Sequence, residues 1–368
     1  VNDGPFSKRD AKSIRAIGLS SKENDSSAVG KFGLGLKTVF LICEAFFYLT
    51  GPHADKGVEP GSILNLWFTE NEDDVPASEW DKLDFTKSDQ AKLQAERQRI
   101  GLADGFTLWV PLRCREHCQR GGHTAPIIEN YPGDGNHRFL EEFQGDLAKE
   151  LANLLPLLKH VQTVDLYDGL NLHKIAVQEG STQCLADFKA EPTPKPISLD
   201  GKINIDGVQN HTYFGQQQLL NEPALQALKD RSDWPRNIPI VGPPEKQKAE
   251  PHCAALISSQ PTKTGAGKLL IRWAVFLPTA EMPDGEPSET LTLEFENGNN
   301  QDYVLTLHGF FFLQSDRRRI RSWLNEQQKN IYQEWNQILA ERGTLRLLLP
   351  MLENFAQERS PNSVKALT

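Results

Sequence analysis

Sulfur is scarce in this sequence, with five cysteines and two methionines among 368 residues. The cysteines stand at 43, 114, 118, 184 and 253, too few and too scattered for a disulfide framework, and they fit a reducing compartment. Cys114-Arg115-Glu116-His117-Cys118, with His123 nearby, offers zinc-type ligands but no second pair at finger spacing, so it reads as a surface turn with two thiols and no metal ligand is assigned. Long apolar runs are also missing. None approaches the roughly 20 residues of a membrane-spanning helix, and no charged, apolar leader opens the chain. The expectation is a soluble, cytoplasmic protein without a membrane partner. Basic charge is in deficit: 40 Lys and Arg against 49 Asp and Glu give a net charge of -9 and a pI near 5.6. That balance argues against a nucleic-acid surface spread over the whole chain, leaving room only for a local basic patch. There is no internal repeat. The length exceeds that of a usual single core, so two domains are expected.

What is present begins with Gly30-Lys31-Phe32-Gly33-Leu34-Gly35-Leu36-Lys37, followed by the apolar run Thr38 to Phe47. Glycines let a backbone take positive φ and approach a ligand without side-chain obstruction. The run after them reads as a buried helix. Its dipole and the loop's N–H groups would together form a cradle for an anion such as a phosphate. The Walker A pattern does not fit, because Leu36 intrudes before Lys37-Thr38. The dinucleotide fingerprint asks for Gly or Ala where Thr38 stands and for a strand before the loop, whereas Leu19 to Ser27 is polar. For the glycines alone, a turn that merely starts a core helix is the plain alternative.

The first residues add to this. The chain opens Val1-Asn2-Asp3-Gly4-Pro5-Phe6, and Ser7-Lys8-Arg9-Asp10 reads as a capping box for a short helix ending near Ile17-Gly18. Asn2-Asp3-Gly4, then Ile17-Gly18-Leu19-Ser20-Ser21-Lys22, then the Gly30 to Lys37 loop resemble, in order and spacing, the nucleotide-binding elements of the GHKL ATPases. That superfamily includes heat-shock chaperones, type II topoisomerases and sensor histidine kinases. The wording is most similar to its sacsin-type, heat-shock-chaperone-like branch.

The resemblance implies an α+β fold. Residues 1–165 would form an incomplete two-layer α/β sandwich of GHKL (Bergerat) type, a mixed sheet with helices on one face that lacks its N-terminal helix. Residues 166–368 would form a strand-rich α/β middle-type domain with C-terminal helices. The implied cofactors are ATP and magnesium. The nucleotide would be held by Asn2, Asp3 and Gly4, by Gly18, Ser20, Ser21 and Lys22 in a lid segment, and by Gly30, Phe32, Gly33, Leu34, Gly35, Leu36 and Lys37 of the loop. The family's adenine-reading aspartate aligns with Asn2, with Asp3 adjacent. Either could serve, although Asn is not acceptor-only as ionised Asp is. Lys22 could meet a phosphate as a point charge or simply be solvated. In GHKL proteins the helix with the general-base carboxylate and the magnesium-binding Asn precedes the Asn-Asp-Gly element. Since the chain starts with Val1 inside this motif, a truncated fragment with little turnover of its own is expected.

Further along, Ser62 to Thr69 reads as a strand, Asn71 to Gln98 as a charged excursion with a helix from about Ser88, and Gly105 to Leu112 as a second strand. Thr107 maps onto the threonine that sits near the nucleotide in the family. Arg138 to His160 carries leucines at three- and four-residue spacing and reads as one long amphipathic helix; Thr163 to Tyr167 and Leu172 to Gln178 read as strands joined at Asp168-Gly169. Proline-rich connectors then separate strands at Cys253 to Gln260, Leu269 to Leu277, Thr290 to Phe295 and Tyr303 to Gln314. Two helices finish the chain, the first marked by Trp323 to Leu339 and the second from Leu345 to Phe355.

Phe310-Phe311-Phe312-Leu313-Gln314-Ser315-Asp316-Arg317-Arg318-Arg319-Ile320-Arg321 joins a buried strand to clustered arginines. The run resembles the middle domain of the same branch, where a loop arginine reaches the γ-phosphate, and Arg317 is the catalytic match by position. A solvated arginine surface paired with acidic residues is the alternative. Two function classes follow: an ATPase whose lid closure and domain docking act on a protein client, and an ATP-gated interaction switch with little hydrolysis. A sensor histidine kinase is the outlier, since it needs a phosphoacceptor helix pair where a strand-rich domain follows. The expected partners are ATP or ADP, a protein client and, in the longer protein, a second copy in a homodimer.

Overall fold

The computed structural model describes residues 6–15, 36–43, 45–51, 53–58, 61–65, 87–99, 101, 105–116, 131–134, 147–158, 160–167, 172–184, 195–234, 250–262, 266–275, 277–278, 290–296, 301–314, 319–322 and 328–358. It is α+β and divides into two compact units, Val1–Phe143 with Asn237–Pro244 and Gln144–Arg236 with Glu245–Thr368.

In the first unit, helix α1 (Lys8–Arg15) opens on a reciprocal cap. Asp10 N donates to Ser7 Oγ at 3.1 Å, and Ser7 N donates to Asp10 Oδ2 at 3.0 Å. Asp55 adds a long-range cap by accepting from Lys8 N at 2.9 Å. Strands β1 (Ala45–Leu49), β2 (Gly61–Asn65) and β3 (Thr107–Trp109) form an antiparallel sheet in the order β2-β1-β3. Alternation along β1 sends Phe46 and Tyr48 into a core with Phe6, Ile14, Cys43 and Leu64. Phe6 stacks on Phe106 with ring centroids 4.7 Å apart. Helix α2 (Lys87–Arg99) lies within the charged excursion and buries Leu93 and Arg97, whose Nη2 donates to the Gly105 carbonyl at 2.5 Å.

The apolar run after the glycines is not one helix. Leu36–Leu41 forms a 3₁₀ helix of six residues, and the chain then enters β1. Periodicity cannot separate a short buried helix from a buried strand, and Phe46, Phe47 and Tyr48 are residues that a half-buried strand favours. The strand read over Gly105 to Leu112 is likewise only Thr107–Trp109.

The second unit is built on one mixed sheet. Its strands are β4 (Thr163–Tyr167), β5 (Leu172–Val177), β6 (Ile197–Ile205), β7 (Val208–Leu219), β8 (His252–Pro261), β9 (Ala266–Val275), β10 (Leu277–Pro278), β11 (Thr290–Glu296) and β12 (Gln301–Gly309). Eight run in the order β10-β9-β12-β8-β7-β6-β5-β4, and β11 pairs with β9 off that path. The β9–β12 pair is parallel. Strand β8 is buried from His252 to Ser259, and its two faces feed two cores. Cys253, Ala255 and Ile257 pack with α4 (Pro223–Asp230), α5 (Ile331–Leu339) and α6 (Leu345–Glu358), whereas Ala254 and Leu256 pack with α3 (Leu147–Leu154) and the 3₁₀ turn Leu155–Leu157. Burial on both faces is why this strand reads as a continuous apolar stretch.

A π segment, Ala340–Thr344, joins α5 to α6. A Cβ on its Gly343 would come within 2.8 Å of Leu220 Cδ1 and 2.9 Å of Cys253 Sγ, so only glycine lets the helix lie this close to β8. The long helix expected over Arg138 to His160 is α3 and the 3₁₀ turn that carries Pro156; residues 135–146 lie outside the described ones. Strands β6 and β7 and helix α4 lie among the proline-rich connectors. Strand β12 ends at Gly309 rather than Gln314.

Candidate functional site

The nucleotide-site residues named from the sequence fall mostly outside the described residues. This holds for Asn2, Asp3, Gly4, Gly18, Ser20, Ser21, Lys22, Gly30, Phe32, Gly33, Leu34 and Gly35, and for Arg317. The zinc-type candidates Cys118 and His123 also lie outside them, while Cys114 is half-buried. Leu36 and Lys37 open the 3₁₀ helix, directly after the glycines in sequence. Thr107 begins β3 opposite Leu49. Alternation places this pair on the sheet face away from Tyr48 and Leu108. The Thr107 hydroxyl is buried and has no hydrogen-bond partner among the described residues, which leaves a polar atom in want of one.

Arg113 carries this part of the structure, and no motif pointed to it. It is 1% exposed, and its Nη2 donates to the carbonyls of Phe40 at 2.7 Å and Cys43 at 3.2 Å. Its own N–H donates to the Ile42 carbonyl at 2.6 Å. These bonds bind the C-terminal end of the 3₁₀ helix to the segment after β3. The C-terminal end of a helix leaves carbonyls unsatisfied, and a guanidinium with five donors suits that position.

In the second unit the base of the arginine-rich segment is fixed. Gln314 N donates to the Arg319 carbonyl at 2.8 Å, Arg321 N donates to the Phe312 carbonyl at 2.9 Å, and Leu313 bridges Ile320. Buried Asn336 of α5 accepts from Phe312 N at 2.7 Å and donates to the carbonyls of Phe312 at 2.8 Å and Arg321 at 3.0 Å. Trp335 Nε1 donates to the Phe310 carbonyl at 3.2 Å. The aromatic run is therefore tied to side chains of α5 in addition to its main-chain bonds with the Arg319–Arg321 segment and with His252 of β8. Residues 315–318 between these anchors lie outside the described ones.

The same unit gathers Cys184, His252 and His308, all fully buried. Burial pushes His308 down to about 4 and His252 well below the usual imidazole range, so both rings are neutral at pH 7. No local spacing announces this group, because Cys184 and His252 are 68 residues apart in sequence.

The fold is thus that of an α+β protein whose first unit holds a three-stranded sheet and whose second unit is a mixed sheet covered on both faces. Residues 1–174 match the family model of the Sacsin domain, so this stretch is similar to sacsin-related proteins. The match takes in all three glycine-containing elements and Thr107, and it runs on through β4 into β5. No curated protein and no solved structure matches the chain. Among the described residues no helix is long and apolar enough to cross a membrane.

Proposed function

We propose that the N-terminal part of the chain is the ATP-binding module of a heat-shock-chaperone-like GHKL ATPase. In this reading, nucleotide-dependent lid closure and docking of the second unit act on a protein partner. The observation that carries it is the ordered set Asn2-Asp3-Gly4, Ile17 to Lys22 and Gly30 to Lys37, all within the stretch similar to the Sacsin domain. The buried, unsatisfied hydroxyl of Thr107, the family's nucleotide-facing threonine by position, supports it.

The chemistry asks mainly for positioning. Main-chain N–H groups of residues 30 to 37 would take the phosphates, with Lys22 and Lys37 among the cations within these elements. The six-residue 3₁₀ turn supplies less dipole than the long helix expected from the sequence, so the anion contact falls chiefly on the loop amides and the lysines. Magnesium would neutralise charge between phosphates, and its Asn ligand and the general base would lie N-terminal to Asn2 in the resemblance. Arg317 would supply the guanidinium that stabilises the transferring group.

Thermal unfolding of the protein with and without magnesium–ATP tests the reading. A ligand that binds only the folded form raises the transition, by about 2.7 kcal/mol at one hundred times its Kd. A concentration-dependent rise with ATP and none with an equal concentration of inorganic sulfate is expected. No rise with ATP would overturn it.

A further inference from the structure

Gln217 of β7 and His308 of β12 both pair with Ala254 of β8, so their side chains flank that alanine on one face of the sheet. His252 stands two residues along on the same face. Cys184 reaches them from outside the sheet. Its N–H donates to the Pro156 carbonyl at 2.7 Å, and its neighbour Gln183 donates through Nε2 to the carbonyls of Leu155 at 2.8 Å and Leu158 at 2.7 Å. Cys184 Sγ lies 3.8 Å from His252 Nε2 and 3.5 Å from Gln217 Oε1, and these last two atoms are 3.3 Å apart. The sulfur and one nitrogen of each histidine all fall within 4.8 Å of one another.

We propose that Cys184, His252 and His308 hold one soft or borderline transition-metal ion, with Gln217 Oε1 as a fourth, weaker ligand. A thiolate with two imidazoles is the donor set of copper and zinc, while calcium and magnesium call for oxygen ligands. For His308 the tautomer is already arranged. His308 Nδ1 donates to the Ala274 carbonyl at 3.2 Å, which places the ring's lone pair on Nε2, as the outer partners of metal-bound histidines commonly do. Metal–sulfur bonds near 2.3 Å and metal–nitrogen bonds near 2.0 Å put tetrahedral ligand atoms about 3.5 Å apart. The separations of 3.3, 3.5 and 3.8 Å among Cys184, His252 and Gln217 lie close to that edge, and His308 completes the set within 4.8 Å.

Binding releases the Cys184 thiol proton to solvent and forms the metal–sulfur bond. One thiolate and two neutral imidazoles then balance a monovalent copper ion, whereas zinc leaves a net positive charge at a fully buried place. Charge balance therefore favours copper(I), with zinc the competitor. Nothing in the site opens to solvent, so the ion's role is to staple the Pro156-to-Cys184 segment onto β7, β8 and β12. The site belongs to the second unit and does not depend on the nucleotide reading.

The full chain, stripped with a chelator, is titrated anaerobically with copper(I) and separately with zinc, with cobalt(II) as the spectroscopic probe of a metal–thiolate bond. One equivalent of metal, a raised unfolding temperature and a thiolate-to-cobalt charge-transfer band are expected. All three should be lost in Cys184→Ser and in His308→Gln. Tighter binding of copper(I) than zinc supports the charge argument, and the reverse order overturns that part. Far-UV circular dichroism of the metal-free variants shows that they fold, and the near-isosteric Cys184→Ser carries the test if His308→Gln does not. No stoichiometric binding of any of the three ions overturns the proposal. So does unchanged binding in folded Cys184→Ser, which would place the metal elsewhere, at the Cys114 segment for example.

Discussion

Arg113 and Phe40 lie 73 residues apart in sequence, yet Arg113 Nη2 donates to the Phe40 carbonyl at 2.7 Å and to that of Cys43 at 3.2 Å. The guanidinium is buried, so removing it leaves the buried Cys43 carbonyl and the half-buried Phe40 carbonyl without this donor. Hydrogen bonds to a charged group are worth about 1.5–3 kcal/mol each. Arg113→Met is expected to destabilise the first unit by about 3 kcal/mol in denaturant unfolding. A change within about 0.5 kcal/mol, the range of ordinary surface substitutions, would contradict that role.

Asn336 does comparable work in the second unit, where one amide meets three main-chain groups of Phe312 and Arg321. Asn336→Ala leaves a buried N–H and two carbonyls short of that partner, at a cost of about 3 kcal/mol. Asn336→Asp keeps the acceptor for Phe312 N but sets a buried carboxylate oxygen against two carbonyls, so it should be at least as destabilising as alanine. Equal stability of the alanine and native forms would show that the aromatic run is held without the Asn336 amide.

His211 gives a pH dependence. Burial holds its pKa below the usual value, Lys149 lowers it further, and its Nε2 lies 2.6 Å from Gln260 Oε1, which works the other way. The folded chain keeps the ring neutral while the unfolded chain takes up a proton below about pH 6.5. Stability is therefore present above that pH and lost as the pH falls toward the folded pKa. Unfolding temperatures measured between about pH 7 and pH 5 should drop less steeply in His211→Gln, which keeps a donor for Gln260. Parallel slopes in the two proteins would contradict this.

Arg317 separates binding from turnover. If it acts only on the transferring phosphate, Arg317→Ala in a chain that hydrolyses ATP should leave ATP affinity unchanged and lower kcat at least tenfold, about 1.4 kcal/mol of transition-state stabilisation. Equal turnover would assign the arginine run to solvated surface.

Parts of the fold were legible because local chemistry agreed with the outcome. The Ser7–Asp10 cap, the strand pair joined near residue 168 and the apolar strand β8 all carried such signals. Strand β7 did not, because His211, Gln216 and Gln217 put polar side chains at buried positions and erased the alternation that would have marked it. The run Leu36 to Phe47 misled for the opposite reason, being apolar enough for either helix or strand. The nucleotide elements were readable as ordered motifs, whereas Arg113 and the Cys184, His252 and His308 group exist only once distant segments meet.

The central claim is that main-chain amides of residues 30 to 37 hold the phosphates of ATP. Calorimetric titration of magnesium–ATP into the native protein and into Gly35→Val tests it directly, with circular dichroism confirming that the variant is folded. The account predicts saturable binding to the native chain and none detectable to the variant. Equal affinity in the two would contradict it.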